Sequence, residues 1–362
     1  MSTQPRVWIC GWGRYSPRRV LTNDELSVQM DTSDEWIRER TGIRERHLVA
    51  PTESTATMAI RAAENALQVA GADPLEVDLI VVATASPDYL CPATACLVQV
   101  GIGATRAAAF DLEAGCTGFI YALVTGASAI ESGRFHQVLA IGAETISRFV
   151  DWTDRNTCVL FGDGAGAVLL RAGSGAGGII STALGADGTG AEALIVPAGG
   201  SRRPPSAETV AASLHTVRMD GRQVFRFATR IMPSAVRRVV RQAGLELKDI
   251  DLVIAHQANL RILQEAAGRL GMPMEKMFCN IERYGNTSAA SIPIALCEAV
   301  EEGKLVSGQR VVLVGFGAGL TWGAVLVDWS GPPAVRRDWR WIVAALRRRW
   351  PTLLRRVRRR LT

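Results

Sequence analysis

Metal-ligand spacing is missing from this sequence. Its seven cysteines fall singly at 10, 91, 96, 116, 158, 279 and 297, with no CxxC pair, and its four histidines form no cluster with them. That excludes a zinc ribbon, a thioredoxin-type redox motif and a disulfide framework. Also missing is any window near the ~18 uncharged apolar residues of a membrane span. The opening MSTQPRVWICGWGR has no apolar run behind a basic stretch, so no secretory signal is expected, and reduced thiols in a cytoplasm follow as the expectation. Aromatic residues amount to only 6%, against 48% hydrophobic and 21% charged, an ordinary globular balance that is neither disordered nor collagenous.

What is present is 362 residues, which at ~100–200 residues per domain allows two or three domains or one body built from two similar halves. The net charge of +6 is unevenly placed: residues 333–362 hold eleven Arg against one acid, Asp338, leaving the body at −4. Basic character belongs to a tail.

Residues 77–86, VDLIVVATAS, and 250–259, IDLVIAHQAN, are apolar runs ending in small or polar residues, and both read as buried strands running into loops. FGDGAGAVLL (161–170) pairs in the same way with GFGAGLTWGAVLV (315–327). Between such strands, amphipathic helices are predicted over 54–71, 117–132, 223–243, 259–270 and 288–302. The alternation predicts α/β layers around mostly parallel sheets. The halves are placed at 1–175 and 176–330, followed by a tail at 331–362. The Gly- and Pro-containing stretch 197–216 is long for a compact connection and reads as a lid or binding loop.

Chemistry concentrates at four places. In AFDLEAGCTGFIYAL, a strand turns through Gly115 into a helix beginning near Cys116 or Thr117, where free N–H groups and the helix dipole are expected to favour a thiolate. His256 stands at the end of a buried strand, where α/β proteins place ligands, whereas His47 and His136 read as surface or structural. Asn286 follows Tyr284-Gly285 just before a helix start, either as a turn former or as a rigidly held amide. GFGAG (315–319) lacks both the P-loop lysine and the GxGxxG spacing, so nucleotide phosphate is not its expected ligand. A helix-start Cys, a strand-end His, a Gly-preceded Asn and a Gly-rich backbone loop together suit acyl transfer through a thioester.

These residues resemble the thiolase superfamily, and within it the 3-oxoacyl-[acyl-carrier-protein] synthase III family. The resemblance spans about residues 6–329 through TSDEWIRERTGIRERH (32–47), GCTGFIYAL, FGDGAGAVLL, MDGRQVFRFA (219–228), HQANLRI (256–262), YGNTSAAS (284–291) and GFGAGLTWG (315–323). It implies a duplicated thiolase-like fold, two similar βαβ-type halves in an α/β/α/β/α arrangement. It further implies a condensing enzyme that joins an acyl-CoA primer to malonyl carrier protein, with Cys116, His256 and Asn286 as the triad and the backbone N–H groups of Cys116 and Ala318 as the oxyanion hole. The last Gly-rich loop lacks the second Cys of thiolases that use unactivated acetyl groups. Phe316 resembles an aromatic that keeps the site dry, or is a plain core Phe. Trp36, Arg40 and Arg155 resemble residues around the adenine of CoA, Asn259 a pantetheine contact, and Arg261 a contact to acidic carrier protein. Both acyl-CoA and malonyl carrier protein are substrates, so no cofactor and no metal is implied.

By the same resemblance the chain is a homodimer, in which Cys91, before Pro92, occupies the place of a larger residue closing the partner's acyl tunnel. A deeper pocket for medium, long or branched chains is expected unless Tyr89 or Leu90 fills the space. Two other readings stay open: a type III polyketide synthase-like or specialised acyl-CoA condensing enzyme, against which TSDEWI and RTGIRERH speak, and a non-catalytic acyl-binding protein, against which the complete triad speaks.

The tail departs from the family. After Pro332-Pro333, Trp339, Ile342, Val343, Leu346 and Trp350 fall at helical spacing, and Leu353, Leu354, Val357 and Leu361 continue the stripe beyond Pro351. Apolar residues on one side with Arg on the other fit peripheral contact with an anionic membrane, docking of carrier protein, or a solvated tail. Nucleic acid fits less well, because the acidic body offers no wider basic surface.

Overall fold

The apolar runs are strands because both faces of their sheets are covered. The computed structural model describes residues 6–173 and 177–331; the tail stripe from Trp339 to Leu361 lies outside the described residues. In chain order the strands are β1 (Arg6–Tyr15), the short pair β2 (Arg19–Thr22) and β3 (Glu45–Leu48), β4 (Leu79–Ala83), β5 (Ala108–Leu112), β6 (Gln137–Glu144) and β7 (Gly164–Gly173). Then follow β8 (Gly178–Ala186), the short pair β9 (Leu194–Ile195) and β10 (Arg218–Met219), β11 (Leu252–Ala255), β12 (Met277–Phe278), β13 (Arg310–Gly317) and β14 (Thr321–Asp328).

Two five-stranded sheets form, ordered β1-β7-β6-β4-β5 and β8-β14-β13-β11-β12. With the short pairs set aside, each runs first, fifth, fourth, second, third in its own stretch of chain, so one topology occurs twice. The sheets are mixed rather than mostly parallel. β4 pairs parallel with β5 and β6, and β11 with β12 and β13, whereas β7 and β14 are antiparallel to both of their neighbours. Connection length decides this: residues 318–320 alone link β13 to β14, which permits a reversal but no crossover helix.

Alternation along each strand then builds layers. In β4, Leu79, Val81 and Ala83 face one core, which helices Gly118–Glu131 and Ser291–Glu301 share with Leu252 and Ile254 of the second sheet. Ile80 and Val82 face another, under helices Thr55–Ala70 and Thr94–Ile102. Val253 and Ala255 face a third, under helices Gly221–Gln242 and Leu260–Leu270. The order helix, sheet, helix, sheet, helix follows, and the middle helices are apolar nearly all round because they meet a sheet on each side.

The stretch 197–216 is not a structureless lid. Ser206 and Thr209 form a capping box at the start of helix Ala207–Ala211, and the flanking Leu194 and Met219, not the stretch itself, line the cavity described next.

Candidate active site

Cys116 lies on a single helical turn, Gly115–Thr117, that leads into helix Gly118–Glu131, and no side chain caps that turn. Two backbones cross there almost in contact. A Cβ on Gly317 would stand 2.5 Å from Cys116 N, and one on Gly115 would stand 2.7 Å from Ala318 N. Only glycine fits at either place, and the backbone nitrogens of Cys116 and Ala318 each lie against the facing loop. Thr321, which the sequence reading passed over, ties the two loops together: its Oγ1 donates to Ala114 O at 2.8 Å and lies 3.1 Å from Thr117 Oγ1.

The expected thiolate is corrected. Burial pushes the Cys116 thiol up to about 12, the negative charges of Glu144 and Glu113 push the same way, and the nearby Ser288 hydroxyl only partly offsets them. At neutral pH the resting sulfur keeps its proton, because removal from water costs a thiolate more than the start of the helix returns.

His256 follows the last residue of β11, and its N–H donates to Val314 O at 2.9 Å, extending the ladder by one bond. Burial lowers its imidazole to about 3, so the ring is neutral. Its Nδ1 lies 2.6 Å from Ser291 Oγ, which also accepts from Gln257 N–H at 3.4 Å. A Ser291 hydroxyl that donates to Nδ1 puts the His256 proton on Nε2. The Phe316 ring meets the imidazole edge-on at 5.2 Å and is itself 3% exposed, so it closes the apolar side of the site.

Asn286 is anchored through its backbone: its N–H donates to Leu160 O and its C=O accepts from Gly162 N. Its Oδ1 accepts from Ser288 N at 2.8 Å, which fixes the amide and leaves Nδ2 for a ligand. Cys116, His256, Asn286 and Phe316 line one cavity of about 660 Å³, whose walls also include Trp36, Arg40 and Asn259.

The remaining predicted residues are placed as follows. Arg40 and Arg155 both pack on Trp36, their guanidinium carbons 4.7 and 5.3 Å from its ring centroid. Arg155 is held there by Asp31 at 2.9 Å, so the space for a flat ring between Trp36 and Arg155 is closed and opens only if Arg155 turns away. Asn259 caps helix Leu260–Leu270 and donates to Arg40 O at 3.0 Å; Arg261 donates to Glu39 O at 3.0 Å. Both therefore join two helices at the cavity mouth. Cys91 is exposed and does not line the cavity. His47 stacks on Tyr284 at 5.3 Å, a structural contact. Among the described residues no three His, Cys, Asp or Glu side chains group as metal ligands, and no helix is long and apolar enough to cross a membrane.

Ser288, Ser291 and Glu144 were not singled out from the sequence. The only signal for Glu144 is an acid ending the apolar run QVLAIGAE; the two serines sit inside a quoted motif with nothing to mark them.

Comparison with known proteins places the arrangement. Residues 110–188 match the family model for 3-oxoacyl-[acyl-carrier-protein (ACP)] synthase III, and residues 240–329 the model for its C-terminal part. The beta-ketoacyl-[acyl-carrier-protein] synthase III of Symbiobacterium thermophilum is 54% identical over 90% of this chain and 98% of its own. The crystal structure of 3-oxoacyl-[acyl-carrier-protein] synthase III from Aquifex aeolicus VF5 is 46% identical with a TM-score of 0.83, covering 89% of this chain and 100% of that one. The beta-ketoacyl-[acyl-carrier-protein] synthase III structure from Thermus thermophilus is 46% identical with a TM-score of 0.82, covering 90% and 99%.

Proposed function

Because the chain belongs to the 3-oxoacyl-[acyl-carrier-protein] synthase III family, we propose roles for its own residues in the family's reaction. That reaction is a decarboxylating condensation of an acyl-CoA with malonyl carrier protein, giving a 3-oxoacyl carrier protein on a duplicated thiolase-like fold. The observation that carries the assignment is the convergence of Cys116, His256 and Asn286 on one cavity, with the backbones at Cys116 and Ala318 in close approach. Mapping a labelled acyl group to the Cys116 peptide tests it.

In the first half-reaction Cys116 Sγ attacks the acyl-CoA carbonyl, and the two N–H groups hold the oxyanion. The C–S bond to CoA breaks and acyl-Cys116 remains. In the second, His256 Nε2–H and Asn286 Nδ2–H donate to the malonyl thioester oxygen as CO₂ leaves, so the developing enolate is stabilised. Its carbon attacks acyl-Cys116 and the sulfur departs. The donor role requires the Nε2–H tautomer, the one that a Ser291 hydroxyl bond to Nδ1 favours. Phe316 excludes water, which favours loss of the charged carboxylate. Thioester activation and CO₂ loss supply the chemistry, so the reading needs no cofactor and no metal.

At the mouth, Arg155 leaves Asp31 so that adenine stacks against Trp36, with Arg40 beside it and Asn259 on the pantetheine path. Exposed Arg222, Arg226 and Arg230 line one face of helix Gly221–Gln242 and, with Arg261, offer acidic carrier protein a basic surface.

The chain works as a homodimer in this reading. β5 is the free edge of the first sheet, and it carries Phe110 at 40% exposure beside a loop with Tyr89 at 59% and Leu90 at 90%. An apolar strand edge left open invites pairing with a second copy. Cys91 belongs to the same exposed loop and reaches the partner's acyl tunnel, where its small size admits medium, long or branched chains. Loading rates measured across acyl-CoA lengths should therefore favour chains longer than acetyl; a clear preference for acetyl-CoA would overturn this.

The Arg-rich tail holds a cytoplasmic enzyme at an anionic membrane surface. In liposome co-sedimentation, the full chain is expected to pellet with anionic vesicles, less so as salt screens its arginines. A chain truncated after Gly331 is expected to stay in solution. Equal binding by both, or by neither, contradicts the assignment.

A further inference from the structure

Acyl loading needs somewhere for the Cys116 proton to go, and the site's imidazole is poorly suited to take it. His256 carries its proton on Nε2 in the donor role and has its Nδ1 turned to Ser291. Behind the sulfur, however, stands a carboxyl group that the reaction described above does not use.

Glu144 ends β6 and is fully buried, yet among the described residues it meets no cation. Its partners are all neutral donors: Ser288 Oγ at 2.9 Å on Oε1, Ser86 Oγ at 2.5 Å and Thr84 Oγ1 at 3.2 Å on Oε2, and Ala85 N shared between both oxygens. Burial outweighs these bonds and raises its carboxyl to about 7. Among the described residues, the elements around it add no further charge at contact. The loop 84–86 and the loop 286–289 bring hydroxyls and amides, helix Thr55–Ala70 brings Thr55, which bonds Ser86 O, and β7 brings Gly164 opposite Glu144. The titratable groups that face this cluster are Cys116 and, beyond it, Glu113.

Ser288 is the bridge. Its Oγ bonds Glu144 Oε1 at 2.9 Å and neighbours Cys116, and its N–H holds Asn286. It keeps a φ of 49°, an uncommon conformation for a residue other than glycine, and bonds from both its hydroxyl and its amide hold it there.

We propose that Glu144 is a positioning residue which, through the Ser288 hydroxyl, receives the Cys116 proton during acyl loading and returns it after condensation. The proposal rests on the assignment of Cys116 as the acyl carrier. In loading, the Sγ proton passes to Ser288 Oγ as the Ser288 proton passes to Glu144 Oε1, and the sulfur electron pair forms the bond to the acyl carbon. CoA leaves as a thiolate and takes a proton from water. In condensation the enolate displaces Cys116 as a thiolate, which recovers a proton along the same path, and Glu144 is again ionised.

The test measures acyl loading of Cys116 by mass shift against pH, alongside malonyl decarboxylation, for the wild-type chain, Glu144→Gln, Glu144→Asp and Ser288→Ala. Ionised Glu144 is the acceptor, so wild-type loading should rise with pH through about 7. Glu144→Gln and Ser288→Ala should load roughly 10²-fold more slowly with that inflection gone, decarboxylation being much less affected, and Glu144→Asp should restore the inflection. Ser288→Ala carries the test alone if Glu144→Gln does not fold. A retained inflection in either variant, or an equal fall in both half-reactions, overturns the relay. Label on another residue in the wild-type chain defeats instead the Cys116 assignment beneath it.

Discussion

Cys116→Ala is expected to abolish acyl transfer while leaving malonyl decarboxylation measurable. The loss should be on the order of 10⁴–10⁶-fold, as for other enzymes that lose their nucleophile. Proton affinity does not single this thiol out, since burial raises Cys10 and Cys158 to about 11 and raises Cys279 and Cys297 as well. Access and geometry do. Cys116 opens on the cavity, and in the proposed reaction its own N–H and that of Ala318 hold the oxyanion. Cys297 packs between the two sheets, and Cys158 lies beside Met30 with its sulfur 3.4 Å away. Cys158→Ala, Cys279→Ala and Cys297→Ala should therefore retain most of the loading activity. Incubation with a labelled acyl-CoA followed by peptide mapping checks all four, and label on a cysteine other than 116 would refute the assignment.

His256→Ala and Asn286→Ala should each slow decarboxylation by roughly 10²–10³-fold, the cost of one oxyanion-type donor, with much less effect on loading. His256→Ala is the cleaner variant, because Asn286 also holds Ser288 N through its Oδ1 and its removal loosens the bridge to Cys116. The imidazole is neutral above about pH 3, so its donor form persists across the neutral range and adds no inflection of its own there. Separate assays of acyl-Cys116 formation and CO₂ release give the split; equal damage to both would remove the division of labour between the cysteine and the two donors.

Much of this molecule is legible in its sequence. The runs VDLIVVATAS and IDLVIAHQAN are strands because residues buried on both faces must all be apolar, and the five longest predicted helices form within a few residues of where their periodicity places them. Cys116, His256 and Asn286 could be named because each sits where an element ends, beside glycine or small residues. Strand direction was not legible, since the short β13–β14 link does not look like a reversal until the partner of each strand is known.

The site's proton chemistry was hidden for the same kind of reason. A cysteine at a helix start reads as a thiolate, but desolvation by the second half of the chain and the charge of Glu144, which arrives from a different strand, reverse the sign. Sequence alone determined which groups are present and which local turns present them. Tertiary structure decided their protonation and their pairing, because burial and hydrogen bonds between residues as far apart as Glu144 and Ser288 depend on which segments the packed sheets bring together.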